Sequence, residues 1–145
     1  MILVVSTCQH ELSELEFVRP ITDLIEDEFV VKHYSKINND DLVSASKVII
    51  CGTALKDFDY LKGDWSWLKT FQKPVLGVCA GFQLIAESLG LELINEQLIG
   101  VFNNYYFVTS RIVKGGVRFI KQGNFVAYAF HPEVLNPELI TSFLL

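Results

Sequence analysis

The chain has 145 residues, half of them hydrophobic and 20% charged, and a formal net charge of −5. That is enough for a single domain, residues 1–145, with a real core but not for two, and the composition excludes a disordered chain. No run of lysine and arginine points to nucleic acid or an anionic membrane, and no apolar stretch nears the ~20 residues of a membrane span. Met1–Val5 is too short for a signal-peptide core and has no basic flank. Cys8, Cys51 and Cys79 are an odd set without C-x-x-C spacing, so a reduced cytoplasmic chain is expected.

In chain order, Met1–Ser6 reads as a buried first strand. Cys8 and His10 follow in a loop; with no second ligand pair elsewhere, neither a metal nor another cofactor is expected. Glu14–Ile25 has helical spacing, but Pro20 makes the helix begin near Arg19–Pro20 or kink there. Phe29–Tyr34 reads as a second strand in which His33 packs. Asn38–Asp41 is a turn and cap for a short helix ending near Ser46. Lys47–Cys51 is a third buried strand, followed at once by Gly52 and by a polar, aromatic loop, Thr53–Gly63. Trp65–Phe71 reads as a short helix, Pro74–Val78 as a fourth strand and Phe82–Leu89 as a helix closed by Gly90.

Strands and helices alternating in this way predict a mostly parallel sheet with helices on both faces. Sites in such sheets lie at the carboxyl ends of the strands, so the tips near Ser6, Gly52 and Val78 should share one edge. After Gly90 the pattern changes. Leu91–Leu98, Tyr105–Val108, Arg111–Val113, Val117–Gln122 and Phe125–Phe130 read as short strands, with Gly115-Gly116 and Gly123-Asn124 as turns. They predict an antiparallel or mixed C-terminal extension. Pro137–Leu145 reads as a closing helix capped by Asn136.

Gly77-Val78-Cys79-Ala80-Gly81 joins the fourth strand to its helix. A residue on so sharp a turn crowds its neighbours, hence small residues two places either side; this is the spacing of a nucleophile elbow, with Cys as nucleophile. A thiol at a helix N-terminus ionises more readily, and the thiolate is the reactive form. The alternative is a structural Cys between packing glycines. A Cys nucleophile needs a base, and the base an orienting partner. His131-Pro132-Glu133 offers imidazole and carboxylate in one compact turn just past an apolar strand, the alternative being a surface histidine at a strand end.

Together, Gly77-x-Cys79-x-Gly81-x-Gln83-Leu84 and Phe130-His131-Pro132-Glu133 resemble the class I (triad) glutamine amidotransferases over nearly the whole chain. The resemblance implies a three-layer, flavodoxin-like α/β fold. It also implies Cys79 as nucleophile, His131 as general base and acid, and Glu133 as orienter. The backbone N–H of Thr53 (or Gly52) would join that of Ala80 in the oxyanion hole, and Gln83 would hold the amino-acid end of the substrate. Tyr105–Ser110 resembles the Y-x-F-V-H-S segment of the glutaminase subunit of imidazole glycerol phosphate synthase, where the backbone at His-Ser contacts substrate. Thr109 and Ser110 occupy those places here, Thr109 standing where that subunit has His. Only 51 residues separate Cys79 from His131, fewer than is usual in the family. The implied activity is hydrolysis of the L-glutamine side-chain amide through a thioester, with ammonia passed to a separate synthase subunit. The alternatives are a γ-glutamyl hydrolase and a catalytically weak binding or regulatory subunit.

Overall fold

The structure is a computed structural model that describes residues 1–145. The elements in chain order are β1 (Ile2–Ser6), α1 (Glu14–Phe17), α2 (Arg19–Thr22), β2 (Phe29–His33), α3 (Asn39–Ser44), β3 (Lys47–Ile50), β4 (Val75–Val78) and α4 (Ala80–Ser88). They continue with β5 (Leu93–Phe102), β6 (Tyr105–Val113), β7 (Phe119–Gln122), β8 (Phe125–Tyr128), α5 (Pro132–Leu135) and α6 (Pro137–Leu144).

Six strands form the central sheet in the order β2-β1-β3-β4-β8-β7. All neighbours run parallel except β7, which closes one edge antiparallel to β8. Successive side chains of a strand point to opposite faces, so an unbroken buried run means that both faces are covered. All five residues of β1 and all four of β4 are buried. Leu3, Val4, Ile49, Ile50 and Leu76 fill the sheet, and Phe82, Ile85, Ile21 and Ile140 bring the helices onto it. This is the expected three-layer, mostly parallel α/β fold.

The antiparallel extension comes in two parts. One is the edge strand β7. The other is a separate hairpin of β5 and β6, the strand predicted as two pieces being one, Tyr105–Val113. Its turn is Asn103-Asn104, with φ of 52° and 69°. A two-residue turn of that hand matches strand twist, and asparagine tolerates it.

The break expected at Pro20 is present: Glu14–Ile25 holds two single turns that part at Val18, the second beginning at Arg19, because Pro20 is tolerated only in a first helical turn. Two local expectations need correction. Trp65–Phe71 forms no α-helix but a 3-10 turn, Ser66–Lys69. Asn136 does precede α6, but its side chain makes no capping bond and its Oδ1 is buried without a partner. At φ −134° and ψ 50° its backbone is not in the extended form that aims a cap at the helix. By contrast, Asn38 and Asp41 form a complete capping box on α3.

The helix α4 lies unusually close to the sheet. A Cβ on Gly81 would come within 2.4 Å of the Ile50 carbonyl oxygen, and one on Gly77 within 2.7 Å of the Gly81 carbonyl. Both obstacles are backbone, which cannot swing aside. Gly81→Ala is therefore expected to destabilise the fold by about 2–3 kcal/mol through overpacking, measured as a lower urea midpoint at unchanged m-value.

Candidate active site

Cys79 is the residue between β4 and α4. Its φ of 50° is unusual for a side chain with a Cβ. Its N–H donates to the Tyr128 carbonyl at 2.9 Å, tying the elbow to the end of β8. His131 lies three residues beyond Tyr128, and its own N–H donates to the Tyr106 carbonyl at 2.8 Å. The chain thereby returns the imidazole to the elbow. Gly52, just past β3, is where the two meet. A Cβ there would lie 2.7 Å from His131 Cε1 and 3.2 Å from Cys79 Cβ. Only a bare Cα leaves room for both side chains.

Behind the ring, His131 Nδ1 and Glu133 Oε2 are 3.0 Å apart, and both side chains are buried. Nε2 is buried with no hydrogen-bond partner. Burial works against a charged imidazole. The adjacent Cys79 sulfur and the Glu133 carboxylate outweigh it, so His131 holds its proton well above the usual histidine range. Cys79 is itself buried, and its Sγ donates to the Val108 carbonyl of β6 at 3.5 Å.

The other expected residues gather around this pair. The backbone N–H groups of Gly52 and Thr53 donate to nothing within the chain, and Ala80 opens the first turn of α4, where N–H groups have no helical partner. Gln83 is buried, and its amide is fully engaged. Oε1 accepts from the Tyr60 hydroxyl, and Nε2 donates to Thr109 Oγ1 at 3.0 Å and the Arg111 carbonyl at 3.4 Å. It straps α4 to β6. Ser110 Oγ donates to the Leu55 carbonyl at 3.2 Å, bridging the cleft above Cys79. The cleft left between these groups has a free volume of about 10 Å³, room for a single water.

Two residues of this cleft escaped the sequence reading. Asp57 Oδ2 accepts from Thr53 Oγ1 at 2.6 Å and from the Gln9 N–H at 3.0 Å, anchoring the loop after β3. Tyr60 holds Gln83. Asp57 lies in irregular chain and Tyr60 in a single 3-10 turn, Asp59–Lys62, and the sequence there has no periodicity to announce either. The remaining cysteines fit a structural role, since burial raises the pKa of the Cys8 thiol and, more strongly, of the Cys51 thiol. No group of three or more His, Cys, Asp or Glu side chains is placed to hold a metal ion, and no helix is long and apolar enough to cross a membrane.

Burial, then the charge of Cys79, pushes the Tyr60 hydroxyl well above the ordinary tyrosine range. A raised folded-state pKa contributes stability that is complete below the unfolded pKa, near 10 for tyrosine, and is lost as pH rises beyond it. Wild-type stability is therefore expected to fall above about pH 10, and Tyr60→Phe to flatten that slope, as read by urea unfolding across an alkaline pH series.

A parallel α/β sheet with a strained cysteine and a histidine–carboxylate pair at one carboxyl edge defines the class, and the comparisons agree with it. No protein-family model matches the chain. Its fold matches a GMP synthase subunit of Thermoplasma acidophilum with a TM-score of 0.75 at 16% identity, covering 99% of this chain and 92% of that one. It also matches a glutamine amidotransferase of Thermotoga maritima with a TM-score of 0.59 at 15% identity, covering 99% and 90%. In sequence, the chain is 30% identical to the pyridoxal 5'-phosphate synthase subunit PdxT of Haemophilus ducreyi over 132 aligned positions, covering 64% of this chain and 70% of PdxT. The chain belongs to the class I glutamine amidotransferase family, with PdxT as a relative.

Proposed function

We propose that this chain hydrolyses the side-chain amide of L-glutamine with Cys79, His131 and Glu133 and delivers the ammonia to a separate synthase subunit. The observation that carries this reading is the convergence of the elbow cysteine and the carboxylate-backed imidazole on the bare Cα of Gly52. The relative PdxT is a subunit of a synthase, which supports a subunit role here too. The partner is defined by chemistry as an enzyme that consumes ammonia.

In this mechanism His131, whose proton affinity is raised, takes the Cys79 thiol proton on Nε2 and leaves a thiolate. The thiolate attacks the amide carbon, forming a C–S bond as the carbonyl electrons move to oxygen. The N–H groups of Thr53 and Ala80 stabilise that oxyanion, each donor being worth ~3 kcal/mol. The intermediate collapses, the C–N bond breaks, and His131 Nε2 gives its proton to the departing nitrogen. Water then attacks the thioester and leaves a proton on Nε2. Loss of the C–S bond releases glutamate and restores the thiolate. Glu133 holds Nδ1 throughout and keeps Nε2 facing the reaction.

The volume beside Cys79 is too small for glutamine, so β6 and the Ala54–Leu55 segment separate before substrate enters. The same occlusion favours a second reading, a binding subunit without turnover. The two are separated by ammonia release and by labelling with 6-diazo-5-oxo-norleucine, alone and with candidate synthases. A working glutaminase releases ammonia and is labelled at Cys79, whereas a silent subunit does neither. Cys79→Ala is expected to abolish ammonia release. Gly52→Ala, whose methyl group displaces the imidazole, is expected to lower kcat about a hundredfold. Undiminished release by the Cys79→Ala protein refutes the assignment.

A further inference from the structure

Buried polar atoms without a hydrogen bond are rare, and each calls for a physical reason. The buried side-chain atoms without a partner are His131 Nε2, Glu133 Oε1 and Asn136 Oδ1. The first exchanges protons with sulfur and substrate in the mechanism above. The other two belong to residues three apart on the single turn α5 and its C-terminal end, a spacing that sets side chains on one helix face. The Glu133 side chain is only 2% exposed, so bulk solvent is shut off from Oε1. Pro132, Val134 and Leu135 have no side-chain donor to offer it. Apart from His131, Asn136 is the one side chain of this turn with an N–H to give. A carboxamide has nearly the same shape at its two ends, so a half-turn about its last bond puts Nδ2 in the place of Oδ1.

We propose that Asn136 is a positioning residue, donating Nδ2–H to Glu133 Oε1 and so fixing the carboxylate against the imidazole. The inference deepens the glutaminase reading and rests on it. A carboxylate bonded through one oxygen turns about its last bond. Bonded through both, it is fixed, and Oε2 stays on His131 Nδ1 at 3.0 Å. The backbone of Asn136 is itself clamped. Its N–H donates to the Pro132 carbonyl at 2.8 Å, closing α5, and its carbonyl accepts from the Leu139 N–H at 3.0 Å, opening α6. Ile140 seats α6 in the core. The amide therefore reaches toward Glu133 from a fixed point, and a hydrogen bond to a buried carboxylate is among the strong ones. An asparagine that caps no helix thereby gains a task.

The test begins with the wild-type protein, so it survives any variant that fails to fold. In isotope-labelled protein, a through-hydrogen-bond NMR coupling is expected between Asn136 Nδ2 and Glu133 Cδ, with the amide proton protected from solvent exchange. Asn136→Asp keeps the shape and the oxygen but removes the donor; Asn136→Leu removes both, and melting temperatures check the fold of each. Both variants are expected to lower kcat about tenfold or more while KM stays within about twofold, because the residue acts through Glu133 and not on substrate. Asn136→Asp is also expected to displace the His131 Nδ1 proton resonance. A missing coupling with a freely exchanging amide overturns the proposal, as does a crystal structure with a water on Oε1 in place of the amide. So does an unchanged kcat in Asn136→Asp, or a loss confined to KM. A wild-type protein that releases no ammonia, alone or with synthases, fails the glutaminase reading, and the coupling and the His131 resonance still decide this one. A protein that releases ammonia but lacks the coupling does the reverse.

Discussion

The close approach of α4 to the sheet is the constraint from which the site follows. Gly77 and Gly81 remove the only atoms that would keep helix and strands apart, and the chain then turns from β4 into α4 within one residue. That residue is Cys79, held in a conformation that costs of order 1–3 kcal/mol and that the surrounding packing enforces. Strain of this kind has a use. It aims a side chain off the carboxyl edge of the sheet and sets it over the unpaired N–H groups of the helix start. Three backbone hydrogen bonds then do the assembly. Cys79 is tied to Tyr128, His131 to Tyr106, and β3 delivers Gly52 through the Cys51 N–H to the Val5 carbonyl.

The hairpin of β5 and β6 closes the arrangement from above. Its inner strand contributes the Val108 carbonyl to the cysteine, Thr109 to Gln83 and Ser110 to Leu55. None of these contacts is a large apolar interface. Each is a single polar contact, worth about 0.5–1.5 kcal/mol net, and the hairpin is not hydrogen-bonded into the central sheet. Apolar packing fixes the rest of the hairpin, since Phe107 and Val113 belong to the core and Tyr105 and Phe107 pack on Phe130, whereas the polar contacts directly over Cys79 are ones that substrate or a partner can replace in kind.

The parts of this structure legible in the sequence were those fixed by local repetition. The runs ILVVS and KVII could only be strands covered on both faces. The glycine spacing around Cys79 announced the elbow, and the His-Pro-Glu turn announced the imidazole with its carboxylate. What stayed hidden depends on neighbours distant in the chain. Asp57 looks like any loop aspartate until the fold buries it against Thr53 and Gln9, and Tyr60 like any loop aromatic until it meets Gln83. The Asn103-Asn104 turn went unread because neither residue is glycine, and β6 was split because polar Thr109 and Ser110 resembled a break rather than a strand passing over a polar site. Asn136 had the right side chain for a cap but not the backbone angle.

The strand that delivers the imidazole enters the sheet out of sequence order, between β4 and β7. A ribosome making this chain therefore finishes the elbow, with its thiol, some fifty residues before the histidine at position 131 exists. Through that interval β4 has an open flank where β8 will later lie. The half-built sheet thus carries an unpaired edge beside the elbow, and the arrival of β8 closes it.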